Sequence, residues 1–250
     1  DYVRFFHRKY TEFIETIDAK NMDSDVAFDE WWKNEIEENQ FFDGNSCEYA
    51  SNKMNEMDFA WNYISGAESI ENINLQQFVH EGLVDLIVHE VGHTLGLRHN
   101  FKASSIFTPE QLKSKEFTEK HGVTGSVMDY NPVNLSSDKD ANGKYFQTQL
   151  GYYDYWAIEY AYGFPGNEQS EKNYLDLVAS KVSEPYLQFG TDEDARSSSR
   201  GIDPLCSRHD MSTDPISYYS DRIVLANELW NSILDKYEKN GERYPKIKRV

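Results

Sequence analysis

The segment HEVGHTLGLRH, residues 89–99, holds the side chains best suited to chemistry. His89 and His93 stand four apart within a long apolar stretch. On a helix that spacing puts both imidazoles on one face, close enough to share one ion. Glu90 is rotated about a third of a turn from His89, so it can reach a metal-bound water without being a ligand. Gly96 follows His93 by three residues, where it permits a positive φ and a sharp helix end. That turn brings His99 back toward the same ion as a third nitrogen ligand. Three neutral imidazoles suit Zn2+ and leave its fourth position open, the mark of a catalytic rather than a structural ion. Zinc brings the pKa of bound water to about 7. Glu90 can then take the proton as water attacks a carbonyl, and pass it to a leaving amine. The bland alternative is a helix end that carries these residues by accident, but burying them without a partner is costly.

The elements that must position these residues read as helices. Val3, Phe6, Tyr10, Phe13, Ile14 and Ile17 share one helical face, and Phe28, Trp31, Trp32 and Ile36 repeat the pattern over residues 25–38. Met54, Met57, Trp61 and Ile64 continue it, after a loop at 41–47. The apolar run Leu75 to Leu95 covers more than one face, which predicts a helix buried nearly all round. Residues 100–146 read as mostly irregular, and long loops inside a compact domain are often functional. Helices are predicted over 147–162, with Leu150, Tyr153, Ala157 and Ala161 inward, and over 170–182. Residues 190–217 read as loop, and a last helix over 218–239 turns Ile223, Ala226, Trp230, Ile233 and Tyr237 inward. No alternating strand and no repeat is found. The fold class is therefore mainly α, α+β at most. One domain is expected, with a helical part at 1–75, the histidine helix and its loops at 76–164, and a helical part at 165–250.

Composition narrows the partners. Across 250 residues the net charge is −18, which repels phosphate backbones and anionic lipid, so a nucleic-acid partner is not expected. No run of 18 apolar residues offers a membrane span, and the opening DYVRFFHRKY lacks a signal-peptide shape. Cys47 and Cys206 allow either one bridge or two thiols. Oligomeric state is not readable.

HEVGHTLGLRH resembles the extended HExxHxxGxxH motif of the metzincin zinc metallopeptidases. SVMDY, residues 126–130, resembles their Met-turn, 29 positions from His99 to Met128. The resemblance implies a zincin-like catalytic core in which Met128 forms an apolar floor under the histidines. It also implies that Tyr130 binds zinc or stabilises an oxyanion. With SVMDYNPVN, GYYDYWAIEYAYG and DPLCSRHD (203–210), the chain is most similar to large exported bacterial metzincins, which implies a secreted or extracytoplasmic location. Metzincins place a sheet before the histidine helix, whereas the 88 residues before His89 read as helical; a catalytic fragment of a longer polypeptide is expected.

The functional expectation is a zinc endopeptidase acting on peptide or protein. Its rivals are a zinc-stabilised interaction module without catalysis and a carbohydrate- or glycoprotein-binding protein built on solvent-facing aromatics. Glu116 and Glu119 are alternative third ligands that His99 makes unnecessary. His7, His80, His121 and His209 read as surface or satisfied residues, with His121 the first exception to consider. The tyrosines of GYYDYWAIEYAYG read as core. The carboxylates of TDEDA (191–195), Asp203, Asp210 and Asp214 offer calcium an oxygen set, although a solvated acidic loop explains them as well. Asn134-Leu135-Ser136 is a glycosylation sequon.

Overall fold

The computed structural model describes residues 47–66, 74–166, 170–195 and 202–237. The account below concerns one compact unit, Tyr49–Asn240. The expected helices in the first 40 residues, the loop at 41–46 and the basic tail lie outside the described residues.

Seven α-helices follow in order among the described residues: α1 Tyr49–Gly66, α2 Leu75–Thr94, α3 Pro109–Lys113, α4 Lys115–His121, α5 Tyr152–Tyr162, α6 Glu171–Ser180 and α7 Pro215–Tyr237. No strand occurs among them, so the mainly α expectation holds. No described helix is long and apolar enough to cross a membrane. α1 packs on both α2 and α7. Their apolar faces close over Ala60, Ile64, Phe78 and Leu225 together with Val133, Leu135 and Phe146 from the loops. Burying a side chain such as Phe78 or Leu225 contributes about 1.5–3 kcal/mol.

α2 starts where the Asn74 side chain accepts the Gln76 amide and ends in a glycine turn. The Leu97 amide donates to Gly92 O and the Gly96 amide to His93 O, with Gly96 at φ 82. This pair of bonds satisfies carbonyls that a helix end otherwise leaves open. The helix is not buried all round. Phe78, Gly82, Asp85, Leu86, His89 and Gly92 form one buried stripe, while Leu75, Val91 and Leu95 are exposed. Apolar content alone overstated burial because only one face has neighbours. Asp85 sits in that stripe because its charge is answered: Lys53 Nζ lies 2.8 Å away, and both side chains are buried. Tyr49 Oη and the Gln147 amide donate to the same carboxylate.

Three other differences have local causes. Residues 100–146 contain α3 and α4, each begun by a hydroxyl cap from Thr108 and Ser114. α5 starts at Tyr152, because Gly151 lies so close to the Gly125 carbonyl that a Cβ would overlap it, and Gln147 instead accepts the Val123 amide. α7 turns Leu225 and Leu229 inward and leaves Ile223 and Trp230 exposed. Arg222 sets that rotation by pairing with Glu56 at 2.8 Å and lying 4.3 Å from the Phe59 ring. A periodicity reading counts arginine as outward, although its stem and plane pack well.

Candidate metal centre

One ring nitrogen from each of His89, His93 and His99 lies within 4.8 Å of the other two. His89 and His93 come from the last turns of α2, and the Gly96 turn returns the chain so that His99 meets them. His89 is fully buried, and His93 and His99 are half-buried. Glu90 is half-buried beside them. Glu116 and Glu119 are exposed on α4, outside this group.

Each imidazole is oriented by an acceptor. His89 Nδ1 donates to Val127 O at 2.8 Å, His93 Nδ1 to Leu97 O at 3.0 Å, and His99 Nδ1 to Asp192 Oδ2 at 3.0 Å. Carbonyls and a carboxylate only accept, so all three rings carry their proton on Nδ1. That leaves the three Nε2 atoms as the ring nitrogens able to coordinate a metal. Two of them, on His93 and His99, face each other at 3.1 Å. Without a cation such an arrangement is repulsive, and with one it is a ligand set. Burial holds the His89 imidazole well below its ordinary pKa, helped by neighbouring His93. Burial also lowers His99, even though Asp192 opposes it. Neutral imidazole is the form a metal requires, so donor chemistry and protonation both fit Zn2+.

The turn 126–130 closes the centre from below. Met128 is fully buried and lies against the α2 backbone, where a Cβ on Gly92 would overlap its Sδ. Asp154, the buried carboxylate of α5, accepts from Ser126 Oγ at 2.6 Å and from the Val127 amide at 2.9 Å. The Asn100 amide donates to Met128 O at 3.0 Å, and Lys53 donates to Asn131 O at 2.9 Å. Tyr130 is buried among rings, 4.8 Å from His99 and 5.1 Å from Tyr49. Tyr49 in turn stacks on His89 at 4.2 Å. Sequence reading passed over Asp154, Asp85 and Tyr49. The signal for both aspartates was present, since each is an acidic residue set within an apolar helical run.

A family model described as Met-zincin matches residues 71–250, more than half of the chain. This chain belongs to the Met-zincin family. No curated protein and no solved structure matches it. Membership in the Met-zincins brings a zinc metallopeptidase-type fold, in keeping with the histidine cluster and the methionine turn described above.

The remaining residues fall into place around this centre. His80 is exposed. His121 interacts with Tyr152 Oη at 2.5 Å through its Nδ1, outside the histidine group. His209 is half-buried, with its ring 5.8 Å from that of Tyr130 and outside the histidine group. Cys206 is a buried thiol, not half of a bridge. Its Sγ packs on Gly190, and burial pushes its pKa up to about 12. The carboxylates considered for calcium are engaged by protein donors. Asp192 faces His99, Glu193 pairs with Arg98, Asp203 with Lys102, and Asp210 accepts from Ser104. Asp194 accepts the Thr191 amide and Asp214 the Ser217 amide. The Asn134 amide is turned inward onto Leu112 O and Lys144 O. Within α5, Tyr155, Tyr160 and Tyr162 face solvent and do not join the core. The buried side chain there is Asp154.

Proposed function

We propose that this chain is a zinc-dependent endopeptidase, in which His89, His93 and His99 hold the ion and Glu90 is the general base. The observation that carries the reading is the convergence of the three imidazoles, with two Nε2 atoms facing each other at 3.1 Å. Bound there, zinc would supply a Lewis acid and lower the pKa of water to about 7. Glu90, next in sequence to His89 but outside the ligand set, takes the proton of the attacking water and returns it to the departing amine. Tyr130 lies against His99 and is the candidate donor to the oxygen on which charge develops. Met128 and Gly92 keep water out from beneath the rings. Peptide or protein is the substrate.

The carbohydrate reading draws on the exposed tyrosines of α5. One of them, Tyr162, donates to Leu95 O at 2.8 Å, at the end of the histidine helix. That contact ties the face to the end of the histidine helix, so exposed tyrosines there are equally compatible with the peptidase reading.

The wild type and Glu90→Ala should be compared for bound zinc and for cleavage of a broad peptide library. The reading expects about one zinc per chain in both and cutting by the wild type alone. A wild type that takes up no zinc, or that holds zinc and cuts nothing, would overturn it.

A further inference from the structure

The segment DPLCSRHD has no role in the mechanism above, yet its arginine reaches the metal centre. Arg208 Nη2 donates to Asp192 Oδ1 at 3.0 Å. The other oxygen of Asp192 accepts the His99 Nδ1 proton at 3.0 Å. One carboxylate thus bridges a candidate ligand and a guanidinium. The same guanidinium lies 5.0 Å from the Phe101 ring and 5.6 Å from the Tyr130 ring. Phe101 stacks on His99 at 5.1 Å, and Tyr130 meets His99 edge-on at 4.8 Å. One side chain therefore touches three of the groups that surround His99.

The backbone supports this placement. His209, the next residue, has φ 63, a left-handed conformation that is unfavourable for a residue with a Cβ. It is held there because its amide donates to Tyr130 O at 3.2 Å, while the Ser212 amide donates to Ser104 O and the Thr213 amide to Phe107 O. Backbone strain that persists under such ties is a feature of functional sites. The contrast with the neighbouring Arg98–Glu193 pair is clear: both of its side chains are more than half exposed, whereas Arg208 and Asp192 are 30% and 26% exposed.

We infer that Arg208 is a positioning residue for the metal centre, acting through Asp192 to fix the tautomer and ring orientation of His99. The inference rests on the metal-centre reading above. His99 is the one proposed ligand outside α2, so its ring depends on partners that the helix does not supply. Partners of this kind typically change metal affinity by about 10–100-fold when removed. The planar fork of arginine can serve Asp192 while lying over two rings, which a lysine does less well.

The experiment measures zinc affinity of the full chain by competition with a chromophoric chelator, together with the visible spectrum of the cobalt-substituted protein. Arg208→Ala and Asp192→Ala should each weaken zinc by about 10–100-fold. The double variant should be no weaker than the worse single, because both act through one path. Arg208→Lys should recover part of the loss. At saturating cobalt, Arg208→Ala should alter the d–d bands. Wild-type affinity in Arg208→Ala, or an unchanged cobalt spectrum, would overturn the inference and leave the metal reading standing. Additive losses that follow a fall in the metal-free melting temperature would make Arg208 a folding residue and also overturn it. A wild type that binds no zinc would remove the metal reading itself.

Discussion

The candidate centre is held from two sides by different means. On the helix side, His89 and His93 ride on α2, and their support is a buried ion pair one turn back, Lys53 with Asp85. On the loop side, His99, Met128 and Tyr130 stand on irregular chain. There the support is a set of carboxylates, Asp129, Asp154 and Asp192, that accept main-chain amides or the ring proton of His99. The helix spaces its two ligands by local geometry, although the His89 ring still takes its orientation from Val127 O. The loop side has no regular geometry to rely on, so the orientation of His99 depends on an acceptor far along the chain. Perturbing the first should lower stability; perturbing the second should change the site or its pH response.

Lys53→Met should have the largest effect. It leaves the Asp85 carboxylate buried without its cation, and losing one partner of a buried pair costs about 3–5 kcal/mol. Urea denaturation measures this, and an unchanged midpoint would show that the helix side does not depend on the pair.

Asp210 tests the loop side. Burial raises its pKa from 3.8 to about 6. Burial also raises that of Asp129, and the Asp210 charge adds to the effect. A raised carboxyl pKa means that the native state binds the proton more tightly than the unfolded chain. The stabilisation is then fully present below about pH 4 and is lost as pH rises through about 6, up to about 3 kcal/mol for Asp210 alone. Asp210→Asn can still accept from Ser104. It should melt above the wild type at pH 7.5 and lose that advantage at pH 4. Equal gains at both pH values would refute the burial argument.

Two glycines on the same helix end separate packing from backbone. Gly92→Ala forces a methyl into Met128 and should cost about 1–3 kcal/mol by overpacking, with weaker zinc uptake. Gly96→Ala meets nothing within 4 Å but sits at φ 82, so it should cost roughly 1–2 kcal/mol through the backbone. Calorimetry with zinc titration checks this, since unchanged stability and zinc uptake in Gly92→Ala would deny Met128 its place under the rings. The smallest effect is expected from Arg98→Ala. Its pair with Glu193 is exposed, and such pairs contribute little, so the melting temperature should not move measurably.

The same division explains what could be read from sequence. The convergence of His89, His93 and His99 through the Gly96 turn was legible because helix periodicity and one glycine turn bring near neighbours together. Met128 and Tyr130 were legible only through resemblance, since nothing local says that a turn 29 residues later closes the site. Asp192 lies 93 residues from His99, and its acidic neighbours made it look like solvated loop. α3 was missed despite a legible start: Thr108-Pro109 followed by Gln111 is a capping box with proline at its first position. The rotation of α7 was not legible, because it follows from where Arg222 finds Glu56.

The span of these partnerships sets an order of events during synthesis. Val127, which orients His89, is made 38 residues after it, and Asp192 emerges 93 residues after His99. A growing chain that has already presented all three histidines therefore still lacks the groups that aim two of them. On the proposed reading, the ion is captured as one of the last steps of folding and does not seed it. On that reading hydrolytic power would arise only once the chain has been made past Asp192, which spares a half-made chain from cutting itself.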